Sequence, residues 1–135
     1  MSDASPAPTW RIISLFGVIV WLVPFSLSFL LYTPEGQPRF SEDVFESVMA
    51  VSLASITSYL SYRLFARAST IAASGLIVGV SWAAISVALD LAAIVTAFNM
   101  PLAQYAVDIA LSYVMIPAIT IAVAKTAKAR KAAAS

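Results

Sequence analysis

Four long apolar stretches constrain this chain more than any other feature of its sequence. They lie at about 12–32, 44–64, 71–96 and 102–124. Each has the roughly 20 residues or more that an α-helix needs to cross a bilayer. The chain of 135 residues is 61% apolar and 11% charged, which is typical of membrane proteins rather than of soluble domains. The sequence therefore predicts one all-α domain over residues 1–135: a polytopic membrane protein built as a four-transmembrane-helix bundle.

Basic residues are concentrated at one end of this predicted bundle. Seven of the eight fall on one side, and Arg39 stands alone on the other; the seven are Arg11, Arg63, Arg67, Lys125, Lys128, Arg130 and Lys131. Lys and Arg near the ends of membrane spans are retained in the cytoplasm. We therefore expect both termini to be cytoplasmic, residues 1–9 to form a disordered tail and residues 125–135 a basic tail. The expected location is the inner membrane of a prokaryotic cell.

The absence of cysteine and histidine limits the kinds of metal site and catalytic site that the chain can form. The chain contains no cysteine and no histidine. It therefore lacks the usual ligands for zinc, iron–sulfur clusters and haem, and the commonest nucleophile and acid–base residues. We expect no enzymatic activity, no cofactor, no metal site and no nucleic-acid partner.

The third span carries a stripe of small and polar residues. Gly75, Gly79, Trp82, Ser86 and Asp90 follow one another at spacings of 4, 3, 4 and 4, so all five share one helix face. The two glycines would let a neighbouring helix approach closely, and Trp82 would pack in the core. A carboxylate within a span is costly in lipid, so it normally faces protein or water and marks a candidate site.

Three carboxylates are expected at similar depth in the outer half of the membrane: Glu46, Asp90 and Asp108. Hydroxyl groups on the same spans would complete an oxygen-rich shell; they belong to Ser86, Tyr105, Ser112 and Tyr113. Such a shell suits a proton or a small cation rather than a transition metal. The alternative is structural: the carboxylates would hydrogen-bond neighbouring helices or lie in headgroup water.

Two other spans show polar stripes. On the second span, small and hydroxylated side chains indicate a helix–helix seam, formed by Ser47, Val51, Ser55, Ser58 and Tyr62. On the fourth span, Tyr105, Asp108, Ser112 and Met115 would share one side of a continuous helix. Pro117 would kink that helix, because it cannot donate a hydrogen bond to the carbonyl of Tyr113.

Three segments carry a resemblance to a known class of protein. They are FESVMAV at Phe45–Val51, GLIVGVSWAAISVALD at Gly75–Asp90 and YAVDIALSYVMIPAIT at Tyr105–Thr120. Together they resemble small uncharacterised four-span prokaryotic integral membrane proteins. The resemblance implies the four-span architecture and no particular activity.

Two functions fit these features. In the first, the protein binds or conducts a cation or proton through the outer carboxylates, as a small transport or channel protein. In the second, it is a non-catalytic accessory or assembly subunit that packs against a larger membrane complex through its small-residue faces. The expected partners are the lipid bilayer and either further copies of the chain or that larger complex.

Overall fold

The computed structural model describes residues 10–67, 74–96 and 99–135. Its α-helices are α1 (Trp10–Leu31), α2 (Glu42–Arg67), α3 (Gly75–Asp90), α4 (Leu102–Asp108) and α5 (Met115–Ala134). A π-helical turn, Leu91–Val95, extends α3, and a 3₁₀ segment, Ala110–Val114, precedes α5. Within these ranges four helical stretches are long and apolar enough to cross a membrane: Trp10–Leu31, Glu42–Arg67, Gly75–Val95 and Ala110–Ala134. The predicted four-span helical architecture is therefore confirmed. The predicted tail at residues 1–9 and the start of the third span, residues 71–73, lie outside the described residues.

The helices form a closed ring of contacts in which α1 packs on α2, α2 on α5, α5 on α3 and α3 on α1. Helices α1 and α3 are parallel, because two hydrogen bonds join residues 69 positions apart: Trp82 to the Ile13 carbonyl, and Trp21 to Asp90. We call the end of the bundle where α1 and α3 begin and α2 and α5 end the basic end, because seven of the eight basic residues lie there.

Gly75 and Gly79 allow the backbones of α3 and α5 to pack in close contact. A Cβ atom added at Gly75 would lie 2.5 Å from the Thr120 carbonyl oxygen and 2.7 Å from the Ile121 Cα. One added at Gly79 would overlap the Pro117 backbone and the Thr120 hydroxyl. That hydroxyl donates a 2.7 Å hydrogen bond to the Gly75 carbonyl. Both glycines are therefore needed for α5 to lie this close, as the Gly-x-x-x-Gly pattern indicates.

The fourth span departs from the continuous helix expected from the sequence. Its helical geometry breaks at Ile109 (φ −120°), between α4 and the 3₁₀ segment. Pro117 is the third residue of α5, where its missing N–H costs nothing because first-turn amides have no partner within the helix. The break thus precedes the proline. At the other end, α5 continues through the predicted basic tail to Ala134, because the Ala, Lys and Arg found there favour helix.

Candidate functional site

Asp90 lies at the centre of a hydrogen-bonded cluster inside the bundle. Its side chain is 1% exposed, although it carries a carboxylate. Oδ1 accepts a 2.6 Å hydrogen bond from the Trp21 indole, and Oδ2 accepts bonds of 2.6 Å from the Tyr113 hydroxyl and 3.2 Å from the Tyr105 hydroxyl. We call these four residues the Asp90 cluster. Its donors come from α1, α4 and the 3₁₀ segment, so one side chain of α3 ties three other parts of the fold together.

The parallel packing of α1 and α3 places the Trp21 indole beside Asp90. Because Trp82 is anchored on Ile13 and the two helices run side by side, Trp21 lies two turns further along at the level of Asp90. The ring of Trp21 is also stacked on Phe25, with centroids 4.4 Å apart and planes 19° apart. Packing and hydrogen bonding therefore fix the orientation of the indole N–H.

The break in the fourth span lies between the two tyrosines whose hydroxyls reach Asp90. Tyr105 and Tyr113 are eight residues apart, which in a straight α-helix would separate them by about 12 Å along the axis. The chain leaves helical geometry at Ile109, between them, and both hydroxyls reach the same carboxylate oxygen. The irregular backbone thus has a clear consequence: it turns both tyrosines towards α3.

The structure separates the other predicted site residues from Asp90. Asp108, Glu46 and Ser112 are exposed on the surface of the bundle, and none of them bonds to the carboxylate. Asp108 also precedes the candidate span Ala110–Ala134. Within the described ranges, no group of three or more acidic side chains is placed to hold a metal ion. Asp108 therefore lies outside the Asp90 cluster: Tyr105, on the same short helix, is buried and donates to Asp90, whereas Asp108 is exposed.

Ser86 lies one turn before Asp90 on the same face of α3 and is fully buried. Its hydroxyl has no hydrogen-bond partner in the described part of the chain. Trp82, one turn further back, is also fully buried and donates a 2.8 Å bond to the Ile13 carbonyl. The inward stripe of α3 thus changes along its length, from glycines against α5, through a tryptophan, to the carboxylate.

The sequence alone does not identify Trp21 as a member of the Asp90 cluster. Trp21 stands on an apolar span, where a tryptophan ring by itself indicates only core packing. A signal was nevertheless available: an indole N–H within a membrane span needs an acceptor, and carboxylates are few in this chain. Tyr113, by contrast, is one of the hydroxyl residues expected near Asp90, and it donates a hydrogen bond to that carboxylate.

The second span provides a different candidate surface. Its buried residues are Leu53, Thr57, Leu60, Ser61, Leu64 and Phe65, and these face the core. The predicted seam lies on the opposite side of the helix: all five of its residues, Ser47, Val51, Ser55, Ser58 and Tyr62, are exposed. We call these five residues the outward face of α2. In the part of the chain that the structure describes, the other helices leave these five side chains largely uncovered.

A comparison with known proteins found no matching family model, no matching curated protein and no matching solved structure. Function is therefore inferred from the chain's own geometry.

Proposed function

We propose that this protein is a non-catalytic membrane subunit that works by packing against further transmembrane helices through the outward face of α2. One observation carries the proposal. The side chains that form a helix–helix seam by their chemistry are turned away from the bundle, with Val51 65% and Tyr62 57% exposed. Small and hydroxylated side chains favour contact with another helix in lipid, where they allow close packing and hydrogen bonding.

The extent of this face matches a transmembrane partner. Ser47 and Tyr62 are 15 positions apart, which corresponds to about 22 Å along an α-helix, most of the roughly 30 Å hydrocarbon core. The four spans leave much of their surface uncovered, since less than a third of each apolar window is buried in the single chain. A second helix lying along α2 would cover the hydroxyls of Ser55 and Ser58 in the middle of that length.

The same proposal includes an orientation and a location. We infer that the basic end faces the cytoplasm and that the protein resides in a prokaryotic inner membrane. Seven basic residues at one end against one at the other supports this placement, because positive charge is retained on the cytoplasmic side. The Asp90 cluster then lies in the outer half of the membrane.

Co-isolation tests the packing proposal. Two copies of the chain with different affinity tags are produced in the same membranes and solubilised gently, and one tag is isolated. Recovery of the second tag identifies a homo-oligomer, and recovery of a different membrane protein in fixed ratio identifies a larger complex. Ser55→Leu should abolish either association because it blocks the outward face, whereas Val80→Leu, on the exposed surface of α3, should not. A chain recovered alone in every case would refute the proposal.

The Asp90 cluster supports a second candidate function, the binding or transfer of a proton or small cation. Its carboxylate is buried within the span Gly75–Val95 and is bonded by neutral groups alone, with no lysine or arginine among its partners. Ionisable side chains inside membranes are often functional. Proton or sodium flux into liposomes that contain the purified protein tests this candidate. Flux that disappears in Asp90→Asn and persists in Asp108→Asn would support it, and no flux with the unmodified chain would exclude it.

A further inference from the structure

A cavity of about 520 Å³ opens between α2 and α5 at the basic end of the bundle. Tyr62 and Ala66 line it from α2, and Ala122, Val123, Arg130 and Lys131 are among the residues that line it from α5. Its volume falls within the range of about 300–1,000 Å³ that is usual for small-molecule sites. We call it the α2–α5 cavity. It shares only Tyr62 with the outward face of α2.

The lining of this cavity changes from polar to apolar along the bundle. Arg130 and Lys131 form one end of it, and Ala122 lies about 12 Å further into the membrane along α5. Lys131 donates a 3.3 Å hydrogen bond to the Phe65 carbonyl, so the cationic end lies level with the last turn of α2. That is the level of the lipid headgroups, because α2 ends at Arg67 just beyond. The apolar end therefore reaches into the hydrocarbon.

The charged side chains around the α2–α5 cavity further limit which ligands can bind in it. No aspartate or glutamate lines the α2–α5 cavity. The acidic residues described on this chain, from Glu35 to Asp108, all lie towards the opposite end of the bundle. Two cationic side chains next to a small apolar wall are complementary to an amphiphile that has an anionic head and an apolar tail. A polar anion such as free phosphate would leave the wall of Ala122 and Val123 unused.

We propose that the α2–α5 cavity binds one anionic phospholipid, with its phosphate between Arg130 and Lys131 and part of one acyl chain against the apolar wall. Basic pockets between transmembrane helices at the membrane surface recognise such headgroups. The site does not depend on the proposed association through α2. It would hold its lipid in a single chain as well as in an assembly.

Native mass spectrometry of the purified full-length chain tests the site. The chain is reconstituted in bilayers of phosphatidylglycerol and phosphatidylcholine and then released gently, and the lipid retained per chain is measured. We expect one phosphatidylglycerol to be retained in preference to phosphatidylcholine. Arg130→Gln should lower its retention about fivefold, the usual effect of one basic residue at a membrane surface. Lys128→Gln is the matched control, because it removes one charge from the same helix but does not line the cavity.

Two further measurements separate this site from general attraction to the tail. Ala122→Leu changes no charge but fills the apolar wall, so it should also lower phosphatidylglycerol retention. Glycerol 3-phosphate, which has the headgroup chemistry without an acyl chain, should neither bind nor compete. Equal losses in Arg130→Gln and Lys128→Gln, full retention in Ala122→Leu, or competition by glycerol 3-phosphate would each overturn the proposal.

Discussion

Trp21 and Asp90 are joined by a 2.6 Å hydrogen bond from the indole nitrogen to a carboxylate oxygen, which fixes α1 against α3. The same carboxylate holds Tyr105 and Tyr113, so the irregular fourth span is attached at this point too. In lipid, water cannot replace these bonds within the hydrocarbon region. The Asp90 cluster is therefore a structural junction of the fold, whatever chemistry it also performs.

Removing the indole donor should loosen this junction. Trp21→Phe keeps an aromatic ring for stacking on Phe25 but removes the bond to Asp90, so one carboxylate oxygen loses its only donor. Hydrogen bonds to charged groups contribute about 1.5–3 kcal/mol, and we expect a loss of that order in the free energy of unfolding. Thermal melting in detergent measures it. Trp10→Phe, at an exposed position, is the control and should leave the melting temperature unchanged. Equal melting of both variants would contradict the role of the bond.

The two aspartates should respond differently to the same substitution. In Asp90→Asn, an amide NH₂ group replaces one of the oxygens that accept bonds from Trp21, Tyr105 and Tyr113, so a donor faces a donor. We expect a cost of about 1–3 kcal/mol for the unsatisfied groups. Asp108→Asn changes an exposed side chain outside the cluster and should cost little. If both variants melt at the temperature of the unmodified protein, the cluster does not hold the fold together.

The glycines of the bundle should rank by what surrounds them. Gly75→Ala and Gly79→Ala would place a methyl group against the backbone of α5, which moves only if the helices separate. We expect each to cost about 1–3 kcal/mol, as overpacking does. Gly17→Ala would meet side-chain atoms of Ile85 and Trp82 at 2.8 and 2.9 Å, and the tip of Ile85 can rotate away. Its loss of melting temperature should be smaller. The reverse order would show that the α3–α5 contact is looser than described.

The orientation can be tested with reporters. A fusion that is active only outside the cytoplasm is attached after Ser135 and, separately, inserted after Asn99, between the third and fourth spans. We expect silence at the C-terminus and activity at Asn99, because the basic end should remain in the cytoplasm. Activity at the C-terminus with silence at Asn99 would reverse the orientation and would place the α2–α5 cavity in the outer leaflet.

The number of spans and the approximate positions of the first three could be predicted from the sequence, because about 20 apolar residues have few other folds available in lipid. The burial of Asp90 followed in the same way from its position on a stripe that includes Gly75 and Gly79. Both predictions rest on the sequence of a single helix, whose regular repeat fixes which residues share a face. They place residues correctly wherever the helix is continuous.

The composition of the Asp90 cluster could be predicted only in part: both tyrosines were expected near Asp90, but the exclusion of Asp108 and Ser112 involves a break in that regularity. The stripe of Tyr105, Asp108 and Ser112 assumed one helix through the fourth span, whereas the chain leaves helical geometry at Ile109. Tyr105 is buried and Asp108 exposed on the short helix before this break, and Ser112 lies beyond it. Likewise, the stripe on α2 is a seam by its chemistry, but the side of the bundle that it faces depends on how four helices pack. Composition along one helix does not fix that choice.

Site-specific photo-cross-linking tests the central claim, that the outward face of α2 meets another transmembrane helix. A photoreactive amino acid is placed at Ser55, on the outward face, or at Val80, which is similarly exposed on α3. Both variants are irradiated in native membranes, and the cross-linked products are separated by mass. We predict a discrete protein adduct from position 55, either a dimer of the chain or one defined partner, and only lipid adducts from position 80. Lipid adducts alone from both positions would contradict the account.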